Sequence, residues 1–366
     1  MNILIFGGTG SIGKFLVERL SMKEGYHIYV TSRKNRLSTA NIDYICGNAH
    51  DIVFASDVLN RYHWDCIVDF MHYSTTDFEK RYELLLRSTE QFIFISSSRV
   101  YAQSDAKLTE KSPTLLESSK DRLFLKSDDY ALAKARQEQL LNNSGFRNYT
   151  IVRPYMSYSN AKLDLGFYPK ELWLKRLMEK KSILFPKDVL YRHTTLTYGY
   201  DVAAGIAALI GKKSALGETF HITQNCATTW EHIIEIYRNV LTQNGVKMNV
   251  KYIDTDKCYG YINCYDRQYD RIFDNKKIGK YLDVENFTPI DNGITKCVES
   301  FLSSPHFKSV DWRIYAHWDR TLNERTSISS LPSLKSKVIY FTFRYLISFP
   351  FLRKLKKIAY VFLLHF

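Results

Sequence analysis

The stretch "NILIFGGTGSIGKFLVERL", residues 2–20, constrains this chain more than any other. A short apolar run of strand type leads into a glycine turn, and the turn leads into an amphipathic helix pattern, which is a βα unit. Within it Gly7-Gly8-Thr9-Gly10-Ser11-Ile12-Gly13 matches G-x-x-G-x-x-G at the strand-to-helix junction. Glycine lets the backbone turn tightly and come close to a pyrophosphate. The helix start supplies unpaired N–H groups and the positive end of its dipole, and the last glycine lets helix and strand pack closely. The turn therefore points to a dinucleotide held by Gly7, Gly10, Ser11, Ile12 and Gly13; the plainer alternative is a tight turn with no ligand.

Further apolar runs follow at "HIYVTSR", "IDYICG", "DCIVDFM", "FIFISSS" and "NYTIVRP", at separations that suit crossover helices or short connections. The alternation predicts an α/β fold, a Rossmann-type doubly wound parallel sheet over residues 1–160. After about residue 160 the pattern loosens into aromatic and basic segments, read as a smaller substrate domain over 161–326 that interleaves with the first. There "DVAAGIAALIGK" reads as a helix packing back on the sheet, "ETFHIT" as a strand, and "TWEHIIEIYRNVL" as a helix capped by a threonine. Residues 327–366 form a basic, aromatic tail.

The end of the second strand bears on which dinucleotide binds. A carboxylate there would take the 2′-hydroxyl of NAD, whereas this chain has Thr31-Ser32-Arg33-Lys34. Ser32 and Arg33 suit a 2′-phosphate, which favours NADP over NAD, unless Arg33 and Lys34 are ordinary solvated charges.

The net charge is +13, and seven Lys or Arg with no acid lie from Lys335 onward. The rest of the chain is only modestly basic and shows no zinc-finger, RNP-like or helix-turn-helix pattern, so nucleic acid is not an expected partner. Six cysteines without a Cys-x-x-Cys pair predict a reduced chain with neither disulfide nor metal site. The opening "MNILIFGG" has no basic start or long apolar run of a secretory signal, and a cytoplasmic protein is expected.

Two more stretches carry chemistry. "FIFISSSRVYA" ends a strand in serines at the edge where such sheets bind ligands, and "SDDYALAKARQEQLL" places Tyr130 four residues before Lys134 among strong helix formers. A second Tyr-x-x-x-Lys, Tyr158 to Lys162, follows Arg153-Pro154 and reads as loop. Taken in order, G-x-x-G-x-x-G, S-S-x-x-V-Y, Y-x-x-x-K and R-P resemble the extended short-chain dehydrogenase/reductase superfamily, in its NAD-dependent epimerase/dehydratase branch acting on nucleotide sugars. The resemblance covers roughly residues 1–300 and is strongest in the first 160.

It implies a catalytic set of Ser97, Tyr130 and Lys134. Tyr130 would exchange a proton, Lys134 would bond the nicotinamide ribose and favour the phenolate, and Ser97 would hold the reacting oxygen. A phenol with an ordinary pKa of about 10 needs such a neighbour to act as a base at neutral pH. The family often has Asp after the third strand to contact adenine; this chain has Asn48, with Asp51 close behind. His72 and Tyr73 follow the fourth strand, where many relatives have small residues, and they are candidates for shaping a substrate pocket. The acidic pair that dehydratases carry after the hydroxyl residue is Ser98-Arg99 here, which disfavours a 4,6-dehydratase. Arg192, Arg267 and Arg271 are candidates for a nucleotide diphosphate, against the alternative of surface ion pairs.

The tail is apolar, aromatic and basic, but Arg344, Pro350 and the Arg353–Lys357 cluster interrupt it, so it is not expected to span a bilayer. It suits an anionic membrane surface through residues 335–366, or else packs on the body or on a second copy in a homodimer. The expected activity is an NAD(P)-dependent epimerase or ketoreductase on a nucleotide-sugar or lipid-linked sugar, in polysaccharide or glycoconjugate precursor synthesis, peripheral to the inner face of a membrane. The rival is a dinucleotide-binding sensor or RNA-associated protein on the same fold.

Overall fold

Alternation along the strands decides the layering. In Asn2–Phe6 (β1), Ile3 and Ile5 face one apolar cluster while Leu4 and Phe6 face another, as a period of two requires. The computed structural model, which describes residues 1–255 and 268–346, continues the sheet through His27–Ser32 (β2), Ile42–Cys46 (β3), Cys66–Asp69 (β4), Phe92–Ile95 (β5), Tyr149–Pro154 (β6) and Glu218–Ile222 (β7). All pairings are parallel, in the order β7-β6-β5-β4-β1-β2-β3. The order reverses between β1 and β4, where ligands bind at the carboxyl edge of such sheets.

Helices Gly13–Ser21 and Gly199–Leu209 cover one face with Leu16, Val17, Leu20, Val202 and Ile206. The other face carries Ala55, Val58 and Leu59 of helix Ile52–Leu59 and Leu141 of helix Tyr130–Asn143. "ETFHIT", placed from the sequence beyond the sheet, is its seventh strand; Phe220 and Ile222 belong to the first cluster.

The chain forms two compact units. The first comprises Met1–Lys162, His193–Thr228 and Tyr269–Cys297, and holds the sheet. The second comprises Leu163–Arg192, Thr229–Gln268 and the chain from Val298 on. In the second, Ile183–Pro186 pairs in parallel with Val250–Ile253, and the hydroxyl of Thr229 caps helix Trp230–Gln243 by accepting from the His232 N–H. Fully buried Arg176 donates to Asp319 at 2.7 Å and to Glu324 at 2.6 Å, and Lys181 pairs with the same Asp319 at 3.0 Å. Tyr340, in helix Leu334–Phe341, donates its hydroxyl to Asp319 at 2.7 Å. The tail is thus docked on this unit as far as Tyr340 and Phe343, both buried, while residues 347–366 lie outside the described residues. No helix among the described residues is long and apolar enough to cross a membrane.

Candidate active site

The site is assembled at the carboxyl edge of the sheet in the first unit. Gly7 has φ +71°, a conformation that side-chain-bearing residues rarely adopt. A Cβ on Gly13 would lie 2.7 Å from the Gly8 Cα and 2.9 Å from the Gly7 oxygen, so the helix meets the turn with no room for a side chain. The first turn of helix Gly13–Ser21 has no side-chain cap and no acid, so no carboxylate opposes the positive end of its dipole. Such a turn fits a pyrophosphate.

After β2, Ser32 is buried and its hydroxyl closes on Lys34, donating to the carbonyl at 2.8 Å and accepting from the N–H at 3.2 Å. The Ser32 hydrogen thereby shapes the turn after β2. Arg33 is exposed. After β3, exposed Asn48 accepts from the His50 N–H at 3.2 Å, and Asp51 caps helix Ile52–Leu59.

At the end of β5 the three serines divide their work. Ser96 donates to Glu138, whose carboxylate is also the ion-pair partner of Arg153, and Ser98 donates to the Arg153 carbonyl at 2.8 Å. Ser97 accepts from the Arg99 N–H at 3.2 Å at the head of a short 3₁₀ turn, Ser98–Val100, and retains its hydrogen.

Asp129 caps helix Tyr130–Asn143 by accepting from the Ala131 N–H at 2.9 Å, which makes Tyr130 its first residue. One turn on, buried Lys134 donates to the Ile95 carbonyl at 2.8 Å, two residues before Ser97, and lies 4.5 Å over the Phe94 ring. The Tyr130 ring has the Arg99 guanidinium 5.1 Å from its centre and the His72 ring at 4.7 Å. The structure therefore brings Ser97, Tyr130, Lys134 and His72 to the ends of the neighbouring strands β4 and β5.

Burial pushes Lys134 down to about 8, with Asp69 and Glu138 pulling the other way. Asp69 ends β4 beside Phe6, 1% exposed, and accepts from the Met71 N–H at 2.8 Å. Burial raises its carboxyl to about 6, against the Met71 N–H, Lys134, Tyr73 and Arg81. His72 is held down to about 4 by desolvation and then by Lys134, Lys162, His50 and Arg99.

Asp69, Glu138 and Arg99 were not among the residues expected here. Glu138 had a signal, four residues past Lys134 and so on its helix face. Two expected residues are placed elsewhere. Tyr73 is buried with the Arg81 guanidinium 4.2 Å over its ring, so it packs beneath the surface and does not shape a pocket. Arg271 is 0% exposed and donates to the carbonyls of Ala102 at 2.9 Å and Tyr101 at 3.0 Å, which makes it a clamp on the chain after Ser97 and corrects its reading as a diphosphate ligand. Arg192 is exposed in the second unit, and Arg267 lies outside the described residues.

Residues 3–223 match the model of the NAD dependent epimerase/dehydratase family. The chain belongs to that family. It is accordingly an enzyme of the extended short-chain dehydrogenase type. Among solved structures it is similar to the Bacillus anthracis dTDP-glucose 4,6-dehydratase in complex with NAD, with 18% identity over 83% of this chain and 97% of that one, at a TM-score of 0.64. It is also similar to the Bacillus cereus UDP-glucuronic acid 4-epimerase in complex with UDP-glucuronic acid and NAD, with 16% identity over 82% of this chain and all of that one, again at 0.64. An epimerase from Methanothermobacter thermautotrophicus aligns at 15% identity over 82% and 93%, with a TM-score of 0.62. At these identities the structural likeness speaks for the fold. No curated protein matches the sequence.

Proposed function

We propose that this epimerase/dehydratase-family protein is an NAD-dependent nucleotide-sugar epimerase, acting at a sugar carbon through Ser97, Tyr130 and Lys134. The observation that carries the reading is the buried Lys134, fixed on the Ile95 carbonyl one helical turn from Tyr130, beside a Ser97 that keeps its hydrogen. Tyr130 takes and returns the proton of the sugar hydroxyl, Ser97 donates to the same oxygen, and the Lys134 charge stabilises the phenolate. Gly7, Gly10, Ser11, Ile12 and Gly13 hold the dinucleotide phosphates, and bound NAD supplies the hydride chemistry. NAD is favoured over NADP because the Ser32 hydroxyl is engaged in its turn and because the Bacillus relatives hold NAD. Elimination of water is disfavoured: Ser98 is bonded inward to the Arg153 carbonyl and residue 99 is basic, so no acid follows Ser97.

Dinucleotide released from the purified, denatured protein tests the cofactor. Stoichiometric NAD is expected for an epimerase that recycles its cofactor. An empty site that binds NADPH more tightly than NADH would instead indicate a ketoreductase.

A pH dependence follows from Lys134. As pH rises through about 8 its ammonium is lost, so kcat/KM falls along an alkaline limb centred near that value. Asp69→Asn removes a charge that raises the Lys134 pKa, and it moves the limb to lower pH. A limb unmoved by that change would detach Asp69 from the site.

Nucleotide sugars are activated donors, and that chemistry supports a role in polysaccharide or glycoconjugate precursor synthesis. Attachment to an anionic membrane surface rests on Arg353, Lys354, Lys356 and Lys357 with the aromatic residues around them. Co-sedimentation with phosphatidylserine vesicles that a chain ending at residue 346 retains in full would refute it.

A further inference from the structure

We infer that the second unit carries a site for a membrane lipid ending in a phosphate monoester, with the phosphate among Lys175, Lys308 and Lys335 and the apolar chain along helix Leu334–Phe341. The inference is independent of the chemistry at Ser97, Tyr130 and Lys134. It goes beyond attachment through Arg353–Lys357, which needs surface charge alone and no shaped cavity.

A cavity of about 560 Å³ opens between helix Trp173–Met178, the segment 307–312 and the segment 326–339, all within the second unit. That is the size of a site for a small organic group. Lys175, Lys308 and Lys335 line it together with the carboxylate of Glu179. This carboxylate is already engaged, since Lys175 pairs with it at 2.7 Å and the Tyr315 hydroxyl donates to it. Neighbouring acids are engaged as well. Asp311 accepts from the Arg313 guanidinium through both oxygens, at 3.0 and 2.7 Å. Glu171, which accepts from the Lys308 backbone N–H at 3.4 Å, is the ion-pair partner of Lys170. Ser309 adds a hydroxyl to the wall, and Phe307 and Trp312 add aromatic surface. Compact ammonium charges beside a hydroxyl suit a phosphate, which offers three strong acceptor oxygens.

The helix that supplies Lys335 and Ile339 to the cavity decides the source of that phosphate. On its adjoining stripe Leu334, Val338 and Phe341, spaced at i, i+4 and i+7, are 77%, 51% and 44% exposed. An apolar stripe in water beside a cationic cavity matches an amphiphile, with the charged head inside and the chain along the stripe. From Lys335 to the end of the chain there are seven Lys or Arg and no acid, so the same region is drawn to an anionic bilayer. A soluble phosphate ester would leave the stripe uncovered.

The test is co-sedimentation of the full-length protein with phosphatidylcholine vesicles carrying either phosphatidic acid or phosphatidylserine, matched in surface charge. Phosphatidic acid ends in a phosphate monoester and phosphatidylserine does not. The ratio of the two affinities therefore reads the cavity, and the phosphatidylserine arm reads the tail. Wild type is expected to bind the phosphatidic acid vesicles about 10-fold more tightly, the range for one hydrogen bond to a charged group. Lys308→Gln, at an exposed loop position, should bring the ratio close to one, and Leu334→Ser with Val338→Ser should weaken binding to both vesicles. Equal affinities in wild type, a ratio that Lys308→Gln leaves unchanged, or binding that the double variant leaves unchanged would overturn the inference with the tail's attachment intact. Glycerol 3-phosphate bound as tightly as the vesicles, and lost in Lys308→Gln, would make this a site for a soluble phosphate ester and overturn the lipid. Binding to neither vesicle would refute the inference and the tail's attachment together.

Discussion

Tyr130→Phe lowers kcat by about 10²- to 10⁴-fold, the usual contribution of a positioned acid–base group, while the protein keeps its dinucleotide and its fold. The change removes one oxygen from a half-buried ring that leaves its neighbours in place: Arg99 and His72 meet the ring itself, and Lys134 is held by the Ile95 carbonyl. Cofactor content and circular dichroism check the second half of the prediction, and a steady-state assay checks the first. A protein using occupancy of the dinucleotide site only as a signal would show no such dependence on the phenol. A kcat within a factor of a few of wild type would move the proton transfer to another residue.

The second large effect concerns stability. Asp319→Ala leaves Arg176 buried with half of its charge compensation gone, and removes the acceptor for Lys181, Thr326 and Tyr340. Breaking a buried pair by removing one partner costs about 3–5 kcal/mol, far more than an exposed ion pair contributes. Urea unfolding of the Asp319→Ala protein is expected to show that loss, and exposed Asp57→Ala, whose partner Arg61 is half in solvent, almost none. Because Asp319 also holds Tyr340, the same substitution should make the segment from Leu334 more sensitive to protease. A loss no larger than that of Asp57→Ala would mean that the cluster around Asp319 does not secure the second unit.

Much of this molecule can be read from its sequence because the relevant signals are periodic. The strands from β1 to β6 are apolar runs between turn signals, the Gly7–Gly13 turn has one steric solution, and Tyr130 and Lys134 stand one helical turn apart by spacing alone. β7 escaped assignment to the sheet because its residues declare a strand but not its partner, which lies 68 positions earlier for the pair Glu218 and Thr150. Polar residues were the other difficulty. Spacing shows that Arg271, Tyr73 and Ser32 are near chemistry-bearing segments. It cannot show that Arg271 gives its N–H groups to two backbone carbonyls, that Tyr73 lies under Arg81, or that Ser32 folds onto its own turn. In the sequence Arg99 marks only a missing acid, since its place over Tyr130 depends on a three-residue 3₁₀ turn.

The most direct measurement follows the reacting carbon. UDP-glucuronic acid and UDP-glucose deuterated at C4 would each be incubated with the purified protein in ordinary water and the products identified by NMR. The account predicts a C4 epimer that retains deuterium at C4, because the hydride leaves and returns without meeting solvent. An epimer that has exchanged its deuterium for hydrogen, or no epimer from either sugar, would contradict it.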